Sequence, residues 1–302
     1  MNSSPSLCDT LRQLSASQGF NLFGIAGATA IPQTERDTYE SFIALGRHAG
    51  MEYLEKYTDI RSNPSLLLDG NATARSIIAV AASYYTPTPQ PNLRWARYAL
   101  GQDYHNIIRA RLKPLADLLI QKGHQARICV DTAPLREKYW AVKAGLGTIG
   151  LNTLLLTEIG SYVLLGFIVT DAQLPPSAPL TESLCTKCGA CIRSCPGKAL
   201  AEGTIDARRC NSYLTIESRQ PLPENLRLGR RIYGCDICQE ACPANRSPLP
   251  ATIPELLPNP RILELTPDDI AALTPESYAE TFRGSAIKRA KLSGLLRNLK
   301  SL

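Results

Sequence analysis

No run of about 18 apolar residues occurs in the 302 residues, so no segment has the composition of a membrane-spanning helix. The opening segment Met1–Ser6 has no basic n-region, and a secretory leader is not expected. No dinucleotide fingerprint stands in a strand–turn–helix frame. Gly145, Gly147 and Gly150 follow a helical pattern, and the strand before Asp131 runs into Pro134 rather than into glycines. A Rossmann site is therefore not expected. No internal repeat occurs beyond two cysteine runs. Acidic residues are absent from Arg283 to Leu302, where Arg283, Lys288, Arg289, Lys291, Arg297 and Lys300 gather. Such a stretch reads either as the solvated face of a helix or as a contact for phosphates. These absences together lead us to expect a cytoplasmic monomer with no membrane partner.

Cysteine is what the chain has in an unusual arrangement. Eight of its ten cysteines fall within 58 residues. The first run is Cys185-Thr-Lys-Cys188-Gly-Ala-Cys191-Ile-Arg-Ser-Cys195-Pro196. A second, Cys235-Asp-Ile-Cys238-Gln-Glu-Ala-Cys242-Pro243, follows, with Cys210 between them. Two residues between thiolates let a tight turn aim the sulfurs at one cubane. The cysteine before proline leaves on the next element and serves the other cluster. The spacing assigns one 4Fe-4S cluster to Cys185, Cys188, Cys191 and Cys242, and a second to Cys195, Cys210, Cys235 and Cys238. Zinc also takes CxxC pairs, but zinc ribbons rarely carry three cysteines at two-residue spacing followed by Cys-Pro. A disulfide framework suits a smaller, secreted chain. Cys8 and Cys129 lie outside the runs and read as buried thiols.

The rest of the chain mixes helix and strand signals. Leu7, Leu11 and Leu14 recur at helical spacing. Segments 21–26, 76–82, 126–130, 154–157 and 162–170 read as strands. Segments 34–48, 103–121 and 137–144 read as helices. Pro175, Pro176 and Pro179 mark a linker, and Pro248–Pro260 leads into a helical tail. The length allows about two domains. The expected division is an α/β (α+β) domain over 1–176, a ferredoxin-like domain over 177–247 and a basic helical tail over 248–302. Basic residues exceed acidic ones by 33 − 27 = 6, which permits a polyanionic partner.

A ferredoxin module moves single electrons and has no substrate of its own, so its fusion to a larger domain points to a redox enzyme. Asp131 is the candidate acid. It follows the apolar strand Ile128-Cys-Val130, at the kind of strand end where sites of open α/β sheets collect. Apolar walls there would favour its neutral form. The alternative is a cap on the following helix or turn. The tract from Arg97 to His105 concentrates aromatic and polar groups, either as a packed helix start or as the lining for a planar ligand.

Taken together, these stretches resemble the epoxyqueuosine reductase family. The resemblance rests on Met51–Leu54, Arg75–Ile78, Gly101–His105, Asp131-Thr-Ala-Pro134, Ala144–Gly147, Asn152-Thr153, Gly160-Ser161 and Ser212–Glu217. Tyr233–Gln239, Phe282–Ser285 and the cysteine runs complete it. It implies reduction of epoxyqueuosine to queuosine at the wobble position of tRNA, the last step of queuosine biosynthesis. The implied cofactors are two 4Fe-4S clusters and a cobalamin in the first domain, fed by an external electron donor. The family's catalytic acid falls on Asp131. The implied cobalamin contacts are Arg61, Arg97, Asp131, Asn152, Leu155, Ser161 and Ser212. The implied RNA contacts are Tyr104, His105, Lys288 and Arg289. Three positions depart from the pattern. Leu151 stands where a lysine is expected, Thr148 where an aromatic is expected, and Ala244 where tryptophan commonly follows Cys-Pro. The alternatives are another corrinoid iron–sulfur reductase, such as a dehalogenase, and a non-catalytic electron-transfer fusion.

Overall fold

The computed structural model describes residues 5–224 and 226–302. The first residues of the opening segment, read above for a leader, lie outside that range. Among the described residues no helix is long and apolar enough to cross a membrane.

The first half is built on one four-stranded sheet. Helix α1 (Leu7–Ser17) leads into β1 (Leu22–Gly27), α2 (Gln33–Ala44) and α3 (Thr58–Ser62). Next come β2 (Ser76–Ser83), the short β3 (Arg94–Trp95), α4 (Tyr104–Gln121), β4 (Ala126–Cys129) and α5 (Glu137–Lys143). A small hairpin of β5 (Thr148–Ile149) and β6 (Leu155–Leu156) precedes β7 (Val163–Thr170). The sheet order is β1-β2-β7-β4, and every pairing in it is antiparallel. The expected mixture of helix and strand is present.

All eight residues of β2 are buried, because the sheet is covered on both faces. Side chains alternate along a strand with period two. Ile78, Val80 and Ala82 therefore meet Ile108, Leu112 and Leu115 of α4. Ile77, Ala79 and Ala81 meet Trp140, Ala141 and Ala144 around α5. Cys129 is fully buried in the second layer, as expected, whereas Cys8 is only half-buried at the edge of the first, because the exposed side of α1 starts there.

The thiol-bearing segment follows as α6 (Ala190–Ser194), the hairpin β8 (Leu200–Ala201) and β9 (Thr204–Ile205), α7 (Asn211–Ile216), β10 (Arg231–Tyr233) and α8 (Ile237–Glu240). The tail forms α9 (Pro260–Glu264), α10 (Pro267–Ala271), α11 (Pro275–Thr281) and α12 (Lys291–Leu299). A third core draws on all three segments. Leu93 and Trp95 come from the first, Ile216 and Tyr233 from the second, Ile262 and Phe282 from the third. Parallel pairing of β3 with β10 runs through it.

Gly24 of β1 lies against the end of α5, where a Cβ would stand 2.0 Å from the Ala144 carbonyl oxygen. Gly24→Ala must push two packed backbones apart. We expect about 1–3 kcal/mol of destabilisation, read as a lower urea midpoint with the m-value unchanged.

Candidate active site

The chain leaves β4 and turns sharply at Asp131, which adopts a left-handed backbone with φ of 51°. Such a conformation costs a non-glycine residue on the order of 1 kcal/mol. The Asp131 N–H donates to Glu137 Oε1 at 2.6 Å, which anchors the turn. The side chain is 56% exposed. The apolar walls expected from the preceding strand face the core instead, because the left-handed residue directs the chain out of it. The cap reading also fails, since Arg136 precedes α5 and makes no side-chain cap.

What Asp131 meets is His105. Its Oδ2 lies 2.9 Å from His105 Nε2, and His105 Nδ1 lies 2.7 Å from Asp103 Oδ1. Asp103 is the N-cap of α4, and the same Oδ1 accepts the His105 backbone N–H. One capping carboxylate thus orients the ring. Tyr104 stacks on it at 4.0 Å. Burial alone would press His105 down, but hydrogen bonds and charge from Asp103 and Asp131 outweigh it and lift its pKa to about 9. The hydrogen bond from His105 holds Asp103 below the usual carboxylate range. Burial, and then the charge of Asp131, raises Glu137 to about 8.

Tyr53 is raised to about 12 by burial and by Glu217, with Asp131, Arg289 and Arg61 also acting on it. Arg61 donates to the Tyr53 and Lys56 carbonyls, so it fixes the loop that carries Tyr53. Arg289 is clamped by Glu217 through three contacts of 2.7–3.0 Å. Arg297 donates to the carbonyls of Leu214, Ser218 and Gln220. The basic stretch is therefore not a uniformly solvated face, because two of its cations hold the thiol-bearing segment. Lys288 sits beside Arg289 in a 3-10 turn over Ala286–Ala290.

The other expected residues lie elsewhere. Arg97 donates to the Thr86 carbonyl at 2.6 Å and stacks on Tyr85, while its buried Nε has no partner among the described residues. Leu155 is core. The Ser161 hydroxyl donates to Gln239 and accepts from Asn245. Ser212 is half-buried on α7.

The thiols gather as two sets. Cys185, Cys188, Cys191 and Cys242 line one pocket together with Asn152. Burial raises Cys242, and Cys185 and Cys188 add to it. Burial likewise raises Cys238, and Cys235, Cys210 and Cys195 add to it. Cys242 and Cys238 thus each feel partners from their own expected set. Among the described residues, no three His, Cys, Asp or Glu side chains are gathered closely enough to hold a single metal ion. Gly197 permits the second set, since a Cβ there would meet the Arg209 carbonyl oxygen at 1.8 Å, beside Cys210.

Sequence reasoning placed Asp131 and His105 but missed the link between them. Asp103 was legible only as a cap. Nothing in the sequence pointed to Glu137.

His105 should titrate with a midpoint near 9 by NMR, and Asp103→Asn should lower that midpoint. Its folded value lies above the unfolded one. Its contribution to stability is therefore full below about pH 6.5 and is lost as pH rises through about 9. A wild-type midpoint near 6.5 would contradict this arrangement.

Comparison with known proteins now adds to the geometry. A family described as a 4Fe-4S double cluster binding domain matches residues 184–245. Another, described as epoxyqueuosine reductase QueG, DUF1730, matches residues 61–132. The epoxyqueuosine reductase of Synechococcus sp. (strain CC9605) is 38% identical over 94% of this chain and 91% of its own length. A crystal structure of epoxyqueuosine reductase with a tRNA-Tyr epoxyqueuosine-modified stem loop superposes with a TM-score of 0.88. It is 30% identical and covers 97% of this chain and 80% of that one. The reductive dehalogenase NpRdhA shares the fold, with a TM-score of 0.55 at 17% identity over 98% of this chain and 38% of its own. The two family regions frame the Asp131 turn and the two thiol sets, and this chain belongs to the epoxyqueuosine reductase family.

Proposed function

We infer that this protein reduces epoxyqueuosine to queuosine at the wobble position of a tRNA anticodon stem-loop. The observation that carries the reading is the Asp103–His105–Asp131 chain, with the Asp131 carboxylate open to solvent, in a member of this family that also gathers two four-thiol sets. The relative seen with a modified stem loop supports the RNA partner. The dehalogenase alternative has only the shared fold behind it.

Removing the epoxide oxygen as water takes two electrons and two protons. Bound cobalamin would supply a cobalt-centred reductant for the epoxide carbon. Arg97, with its buried unpartnered Nε, suits an acceptor on the amide-rimmed edge of such a ligand. Arg61, Leu155, Ser161 and Ser212 would complete the contacts implied by the family. The two cysteine sets would hold the 4Fe-4S clusters, which would supply electrons from an external donor. In this reading residues 1–176 hold cobalamin and substrate, 177–247 hold the clusters, and 248–302 help to bind RNA, all in a monomer. Tyr104 and His105 face the substrate side, and Lys288 and Arg289 reach the phosphates.

The proton step follows from the geometry. His105 holds its proton at neutral pH. Asp131 pairs with it and is open to solvent, so in this reading the proton passes from His105 through Asp131 to the departing oxygen, and solvent supplies the second.

Asp131→Asn keeps the shape but cannot relay a proton. Single-turnover reduction of epoxyqueuosine-modified tRNA should slow by about 10²–10⁴-fold, with cofactor content and RNA affinity unchanged. Turnover within a few fold of wild type would remove Asp131 from the proton step. In anaerobic preparations Cys210→Ser should lower iron and sulfide from about eight each toward four. Loss of all iron, or of none, would contradict the two sets.

A further inference from the structure

Asn152 sits at the tip of the turn joining β5 to β6. The Gly150 N–H bonds the Leu154 carbonyl, and the Thr153 N–H bonds the Gly150 carbonyl. Asn152 Oδ1 accepts the Leu154 N–H at 3.2 Å. Gly150 allows this, since a Cβ there would lie 2.8 Å from Oδ1. The oxygen end of the amide is thus committed to the turn, and the planar group directs Nδ2 the opposite way. Asn152 is 3% exposed, and among the described residues Nδ2 has no partner. Buried amide donors are almost always satisfied, so one that is not calls for an acceptor.

The acceptor is indicated by the pocket that Asn152 lines with Cys185, Cys188, Cys191 and Cys242. The same wall carries Leu151 and Ala244, two of the three departures from the family pattern. No charged side chain lines this pocket. The lysine expected at 151 would have brought a cation close to these thiols. Asn152 carries the side-chain amide that remains.

We propose that Asn152 Nδ2 donates a hydrogen bond to a sulfur of the cluster held by Cys185, Cys188, Cys191 and Cys242, and so sets that cluster's reduction potential. This rests on the two-cluster reading above. It gives Asn152 a role at the cluster rather than at the cobalamin, to which the resemblance assigns it. Reduction adds negative charge to a cluster already ringed by thiolates. An N–H dipole aimed at a sulfur stabilises the reduced state more than the oxidised one, and does so more strongly in a water-poor pocket. Removing the donor therefore lowers the potential.

The test is EPR-monitored potentiometry on anaerobically prepared holoprotein, comparing wild type with Asn152→Ser and Asn152→Ala. Serine retains a short oxygen for the Leu154 N–H but cannot reach the pocket, so it separates the turn from the cluster contact. Both variants should move one of the two cluster midpoints to lower potential and leave the other in place. At the poise where wild type is half reduced, we expect about a tenfold fall in the reduced-to-oxidised ratio, or about 59 mV for one electron. Unmoved midpoints in both variants would overturn the proposal. So would a shift in Asn152→Ala alone, which would mark Asn152 as a turn residue only. Wild-type protein without eight irons and eight sulfides would instead sink the two-cluster reading itself.

Discussion

The position of the thiols relative to the sheet depends on one buried polar junction. Tyr84, just beyond β2, shares hydrogen bonds with Gln239 of α8. Gln239 accepts from Ser161, in the turn before β7. Asn245 closes the circuit, accepting from the Ser161 N–H and donating to the Ser161 hydroxyl and the Gln239 carbonyl. A buried network of this kind is worth having only when it is satisfied, and satisfaction fixes a single geometry. A greasy contact would hold the two halves together without setting their register. This junction sets it, and a redox protein whose electron carriers must lie at fixed distances from the reaction needs that.

Much of this was legible where the signal is local. The all-buried strand 76–83, the helix after Asp103 and the two thiol runs all announce themselves within a dozen residues. The order of the sheet did not, because β7 pairs between β2 and β4, strands that lie far from it in the chain. Asp131 was found for a reason that does not hold. Its neighbours Cys129 and Val130 are indeed buried, but the left-handed turn at Asp131 takes the carboxylate away from them and toward His105, 26 residues earlier. A pair of that separation leaves no trace in spacing. The capping role of Asp103 was visible, while its second role, orienting the ring, required the helix to be in place.

The basic tail teaches a related lesson. Charge in sequence does not distinguish cations that are free from cations that are spent. Arg297 is spent on backbone carbonyls, and burial lowers its pKa. Arg289 is half spent, since Glu217 holds it in one orientation while more than half of the side chain remains open to solvent. A guanidinium fixed in that way is better prepared to meet a phosphate than a loose one, because less freedom is lost on contact.

The third core carries a consequence for how the molecule is made. Trp95 and Phe282 pack together within it although 187 residues separate them, and Tyr233 packs against Trp95. All eight clustered thiols lie upstream of Phe282. That core closes only after every one of them has left the ribosome. Contacts of such long sequence separation form slowly. The nascent chain therefore passes through a stage in which its thiols are complete but their surroundings are not. Topology thus leaves a window, between completion of the thiols and closure of this core, in which the cysteine segment is still open.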